Sequence, residues 1–215
     1  MKNIIRNTAV VALTFISTSL AFAQKADQKS SQLLDAVANK YKSNKNTYFK
    51  FAYGTGKNGK VTKLQTGIFY TTPTQYKLKI MGNEQIFDGN KVYNISEEDQ
   101  EVTIAKATGN EMMFSPTNYL NSYKRDYDAT YIGKRNVNGS QLDVVQLKPI
   151  TANGIKHVLI YLDGQKKQLS KVEQYSTSGD LSSITIQQYR VNQTLSPSMF
   201  KFNKGNYSNY LITEL

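Results

Sequence analysis

"GIFYTTPTQYKLKIMGNEQIFDGNKVYNI", residues Gly67 to Ile95, holds four short runs rich in apolar residues, divided by turn residues. In "QYKLKI", Tyr76, Leu78 and Ile80 alternate with Lys77 and Lys79, so a strand here sends apolar side chains to one face and lysines to the other. Thr72-Pro73 and Asp88-Gly89 break the runs: proline fixes its own φ, and glycine accepts a positive φ at no steric cost, as tight hairpins require. A period of two with one apolar face is the mark of antiparallel strands covered on a single side.

The same period extends in both directions. "YFKFAY" groups Phe49, Phe51 and Tyr53, and "LQTGIFY" groups Leu64, Thr66, Ile68 and Tyr70. Further strands are expected at 84–88, 91–96, 100–106, 127–134, 141–149, 155–163, 168–176 and 181–191, divided by "DGN", "EED", "VNGS", "ANG", "DGQKK" and "TSGD". About eleven strands in one up-and-down meander result, too many for a flat sheet, which curls as it twists. A helix precedes them. Leu33, Leu34, Val37, Ala38 and Tyr41 recur at helical spacing behind a Ser30 or Ser31 cap, while Asp35, Asn39, Lys40 and Lys42 face water. Mid-chain, Ser115-Pro116 predicts a second, short helix with Tyr119, Leu120 and Tyr123 on one face. Met112, Met113 and Phe114 fall in the loop before it and read either as core or as an adaptable apolar cover. The fold class expected is mainly β (α+β).

The N-terminus is a processing segment. Lys2 and Arg6 lead an apolar run from Thr8 to about Leu20, and "AFA" at Ala21–Ala23 supplies the small-x-small pattern of a cleavage site. The run is shorter than the roughly 20 residues a bilayer demands, so residues 1–23 are expected to be a cleaved signal and 24–215 a single domain. Export usually leads to an oxidising compartment, yet the chain has no cysteine. Stability must then come from apolar burial and sheet hydrogen bonds rather than disulfides, and an acyl anchor on the chain's own cysteine is excluded.

The formal net charge is +11, but beyond the leader the only arginines are Arg125, Arg135 and Arg190, and the lysines are scattered. Nucleic-acid recognition favours clustered arginine, so that partner is not expected. Lysines on solvent faces of strands discourage edge-to-edge aggregation, and they also attract acidic proteins or membrane surfaces.

Reactive groups are scarce. His157 is the only histidine, beside Leu159 and Tyr161 by alternation, and without cysteine a zinc site is not expected. It reads as a packing or sheet-face residue. "SEEDQE" at Ser96–Glu101 lacks the spacing of a calcium loop and reads as a solvated hairpin turn. Phosphate loops, nucleophile elbows and paired-acid motifs are not found, so an enzyme, a metal or a cofactor is not expected.

The order of the pieces carries a resemblance. A leader, the helix "LLDAVANKYKSNKNTYFKFAY", the pair "GIFYTTPTQYKLKI" and "QIFDGNKVYNI", then "SPTNYL" and a closing "SPSMFKFN" together resemble the outer-membrane lipoprotein carrier LolA family, in its Bacteroidetes forms. The resemblance implies an incomplete, strongly curled antiparallel barrel whose concave apolar face is covered by the two helices. It implies a periplasmic monomer that shields lipoprotein acyl chains and touches membrane surfaces transiently. Such a carrier takes its cargo from an inner-membrane releasing transporter and hands it to an outer-membrane acceptor. On that reading the cavity draws on Phe49, Phe51, Tyr53, Ile68, Tyr70, Tyr76, Leu78 and Ile80 from the first sheet half. Val102, Ile104, Leu159, Tyr161, Ile184 and Ile186 join them, with Met112, Met113, Phe114 and Leu120 as cover. Alternation defines two faces per strand without saying which is inner, so each set flips as a unit. Many proteobacterial members carry an arginine before the proline after the glycine-led strand, where it holds the cover closed. Here that place is Thr72, which lacks the forked donor set. A lipid- or lipoprotein-sensing regulatory module, or a carrier of another lipid or glycolipid, shares the same resemblance.

Overall fold

The computed structural model describes residues 27–108 and 117–215. The segment expected to be a leader with its cleavage site, and Met112, Met113 and Phe114, lie outside the described residues.

Helix α1 (Gln28–Lys42) opens the described chain. Its cap is Asp27 rather than a serine: one carboxylate oxygen accepts from the Ser30 backbone N–H at 2.8 Å and the other from the Tyr131 N–H at 2.6 Å. The helix therefore begins a turn before its apolar stripe, and Ser30 is buried within it. The cap residue also ties the helix start to the sheet.

Strands β1 (Thr47–Lys57), β2 (Lys60–Thr71), β3 (Tyr76–Ile80), β4 (Asn83–Phe87), β5 (Lys91–Ser96) and β6 (Glu101–Lys106) form one meander. Helix α2 (Asn118–Asp126) then leads into a second, β7 (Tyr127–Val137), β8 (Ser140–Pro149), β9 (Ile155–Asp163), β10 (Gln168–Ser176) and β11 (Asp180–Val191), and β12 (Leu211–Glu214) follows. Among the described residues the twelve strands belong to one open sheet in the order β12-β6-β5-β4-β3-β2-β1-β11-β10-β9-β8-β7. The single meander expected from sequence is thus two, fused where β1 pairs antiparallel with β11, Thr47 opposite Val191. Periodicity reports that strands exist but is blind to which of them pair. The β4–β5 hairpin accordingly sits near one edge, and β12 adds a parallel strand to β6.

Both helices lie on one face, called inner here. Leu34, Val37 and Ala38 of α1 and Leu120 and Tyr123 of α2 pack on Val145, Leu147, Val158, Ile160, Leu162, Leu169 and Val172, so they cover the half of the sheet built by the second meander. Each helix turns its stripe to that half because the stripe is its only apolar side. The two helices are tied together by Asp35, which accepts from the Tyr123 hydroxyl at 2.8 Å and from Lys124 at 2.7 Å. Tyr41, at the end of α1, accepts from the Leu169 backbone N–H at 2.8 Å and packs edge-on against Phe49, joining the two halves of the core.

Candidate functional site

Past Tyr41 the inner face of the first meander is left bare by the helices. Register fixes its side chains: Phe49 is opposite Phe69, Phe69 opposite Leu78, Thr71 opposite Tyr76, and Tyr76 opposite Phe87. The rings form a row across the strands, with centroids 6.4 Å apart for Phe49–Phe69, 5.8 Å for Phe69–Tyr76 and 5.6 Å for Tyr76–Phe87. The same inner face holds a trough of about 550 Å³, whose apolar floor is Phe51, Tyr53, Leu78, Ile80 and Ile184. The volume lies in the roughly 300–1,000 Å³ range of sites for small organic ligands.

Gly67 makes the floor possible. The Phe51 ring lies over it so closely that an added Cβ would be 2.4 Å from the ring's Cζ. Only a residue without a side chain lets β2 pass beneath that ring.

Across the trough the lining changes character. Asn83, Gln85, Asn94, Ser96, Glu101 and Thr103, contributed by β4, β5 and β6, form a polar wall. The Tyr76 hydroxyl donates to Gln85 Oε1 at 2.7 Å, and Gln85 Nε2 donates to Asn94 Oδ1 at 2.6 Å. The Ser96 hydroxyl is engaged by Asp99 at 2.7 Å. Met81, 56% exposed and held at φ 59 in the β3–β4 turn, stands at the mouth.

The residues singled out from sequence divide by face. Phe49, Phe51, Tyr53, Tyr76, Leu78, Ile80, Ile184 and Ile186 share the inner side of one cluster. Ile68 and Tyr70 do not: they oppose Lys79 and Lys77 on the outer face, where Tyr70 meets the Tyr48 ring at 4.6 Å. The inner positions of β2 are Gly67 and Phe69, and a glycine leaves no apolar signal from which to read that parity. Val102 and Ile104 are also outer, packed with Ile86 and Ile95 beneath Phe202, Tyr207, Tyr210 and Ile212. Their burial comes from the C-terminal segment. Leu159 and Tyr161 join Leu142 and Val144 on the outer side of β8 and β9, which are buried on both faces. Leu120 lies under α2 in the helix-covered half. What sequence reasoning missed is the polar wall; the amides and hydroxyls at alternate positions of "NEQ", "YNIS" and "EVT" were its only signal.

Thr72 borders a second cavity of about 280 Å³, formed with Tyr41, Phe49, Thr71, Pro73 and Leu120 at the seam between the helices and the β2–β3 turn. Its hydroxyl accepts from the Gln75 N–H at 2.9 Å, and its own N–H donates to the Gln75 carbonyl at 2.8 Å. The side chain is spent on its own turn and makes no bridge to either helix.

His157 stacks on Tyr175 at 4.6 Å on the outer face. Burial and the nearby Lys156 and Lys148 push its pKa down, so it is neutral at pH 7. Glu173, close by, is pushed up by burial but held lower overall by Lys171 at 2.6 Å and the hydroxyls of Tyr161 and Tyr175. This polar knot is internally satisfied. Among the described residues there is no cluster of His, Asp and Glu suited to a metal, and no helix long and apolar enough to cross a membrane.

Residues 49–203 match the model of the family described as outer membrane lipoprotein carrier protein LolA. No curated protein matches the chain. Among solved structures, an uncharacterized conserved protein from Thermus thermophilus aligns with a TM-score of 0.60 at 9% identity, covering 87% of this chain and 100% of that one. The lipoprotein LppX of Mycobacterium tuberculosis aligns with a TM-score of 0.50 at 10% identity, covering 80% of this chain and 99% of its own. At such identities the likeness is one of fold.

Proposed function

The chain belongs to the outer membrane lipoprotein carrier protein LolA family, and we propose that it is a periplasmic carrier that shields lipoprotein acyl chains between the inner and outer membranes. The observation that carries this reading is the trough: a built apolar space left uncovered by the helices, floored by Phe51, Leu78, Ile80 and Ile184. Each methylene moved from water into such a floor contributes about 0.8 kcal/mol, so the trough offsets what a long chain loses on leaving a membrane while a transporter drives its release.

Handover follows from the same geometry. Among the described residues neither helix lines the trough, so a bound chain keeps one side accessible to an outer-membrane acceptor with a better-enclosed site. Transfer then runs down a gradient of affinity and calls for no catalytic residue. Residues 1–23 serve as the export signal and 24–215 as the carrier domain on this reading. With Thr72 in place of an arginine, closure over the cargo relies on other contacts.

The test is to purify the protein from its native periplasm and identify by mass spectrometry what accompanies it. Acylated lipoproteins are the expected finding. Recovery of free lipid or glycolipid alone would transfer the role to another cargo, and normal lipoprotein sorting after depletion, with no paralogue present, would rule the proposal out.

A further inference from the structure

Sheet register carries the trough from apolar to polar within two strands. Along one row Leu78 is followed by Gln85, Asn94 and Thr103; along the next Ile80 is followed by Asn83, Ser96 and Glu101. The polar wall begins where the floor ends, at a distance one strand spacing away.

That wall is oriented. Tyr76 donates to Gln85, and Gln85 donates to Asn94 Oδ1, so the relay turns the oxygen of the Asn94 amide toward Gln85. Its Nδ2 has no partner among the described residues and is left as a donor at the polar boundary. The wall is also selective by charge. The protein carries a formal +11, yet among the described residues no lysine or arginine lines the trough, and the carboxylate on the row of its polar wall is Glu101. Lys77 and Lys79 point to the outer face, where they pair with Glu84 at 2.8 Å and Glu97 at 2.5 Å. An anionic headgroup placed against this wall would meet a carboxylate and no cation, at a cost of several-fold or more in affinity.

Taking the trough as the acyl site proposed above, we infer that it selects chains joined through an uncharged ester or amide, whose carbonyl accepts from Asn94 Nδ2, and discriminates against free fatty acids and phosphate-headed lipids. A carbonyl is the one polar group every such linkage places at the head of its chain, which is where Asn94 lies relative to Leu78. Thr103, next in the row with a hydroxyl that has no partner among the described residues, suits a neutral head beyond the linkage.

The test is displacement of an environment-sensitive naphthylamine probe from delipidated protein by three palmitoyl ligands: monopalmitoylglycerol, palmitate and lysophosphatidylglycerol, at about pH 8, where the acid is ionised. The neutral ligand is expected to compete at least about tenfold better than either anion. Asn94→Ala should weaken monopalmitoylglycerol about fivefold more than it weakens the probe, the loss of one hydrogen bond. Asn94→Lys should instead raise affinity for both anions, a gain that misfolding cannot imitate. Equal competition by all three ligands, or no gain from Asn94→Lys, would overturn the headgroup selectivity while leaving acyl binding intact. Failure of the probe and every ligand to bind would overturn the acyl-site reading as well.

Discussion

Replacing Gly67 by alanine tests how the floor of the trough is built. The new Cβ would stand 2.4, 2.7 and 3.0 Å from Cζ, Cε2 and Cε1 of Phe51, where carbon contacts settle at about 3.5–4.0 Å, so the ring must retreat by roughly 1 Å. Phe51 is 2% exposed and hemmed in by its cluster, which leaves the trough as its direction of escape. Overpacking of this kind costs about 1–3 kcal/mol. Against it, alanine reduces the freedom of the unfolded chain, a gain of about 0.4–1 kcal/mol. The net loss is about 1–2 kcal/mol, a fall in Tm of about 2–8 °C for a domain this size. Urea denaturation followed by circular dichroism measures it, and probe titration of the folded protein should show a weakened trough. In a Phe51→Leu background the shorter side chain removes the overlap, and the penalty of Gly67→Ala should fall by more than half. An equal penalty in both backgrounds, or a stabilised single variant, would refute the reasoning.

Ile184→Asn changes a half-buried floor residue and should reduce probe affinity about tenfold with the far-ultraviolet spectrum unchanged. Unaltered affinity would remove β11 from the site. Tyr41→Phe leaves the Leu169 N–H without its acceptor and should cost about 1–3 kcal/mol in urea denaturation; a neutral result would mean that water replaces the hydroxyl. Stability should also decline in acid. Burial raises the pKa of Asp27 and of Asp35, but hydrogen bonds from Ser30 and Tyr131 to the first, and from Lys124 and Tyr123 to the second, hold both below the usual carboxylate value. Because the folded values are depressed, this contribution is complete above the unfolded aspartate value of about 3.9 and fades as pH falls through the folded ones. Asp27→Asn combined with Asp35→Asn should flatten the acid limb of a stability-against-pH curve, and an unchanged limb would assign acid sensitivity elsewhere.

The strands and helices were largely legible in the residues, because burial on one side imposes a period that polar exposure on the other makes visible. "YFKFAY" and "QYKLKI" grouped Phe49 with Phe51 and Leu78 with Ile80, and each pair does share one face. Three other strands concealed theirs. In β2 the inner position is Gly67, which has no side chain to contribute to the pattern. In β6 the apolar set of Val102 and Ile104 is covered from outside by a C-terminal segment far along the chain. In β9 both faces are apolar, so alternation carries no information there. Pairing of β1 with β11 and the helix cap at Asp27 depend on partners distant in sequence, which no local window contains. The polar wall was in plain view as Gln85, Asn94 and Thr103, but isolated polar residues on strands ordinarily face water.

The seam between β1 and β11 has a consequence for the order in which the molecule comes into being. A chain emerging from its N-terminus can complete β1 through β6 long before Asp180 appears, and for that interval the side of β1 that faces away from β2 is an unpaired edge. Pairings of such sequence separation form slowly, so the nascent first meander has time to meet other chains. The same interval leaves the trough without Ile184, its contribution from β11. A truncated or half-made molecule therefore carries an open strand edge prone to aggregate and a trough with part of its floor missing, which makes completion of the chain the condition for a finished trough.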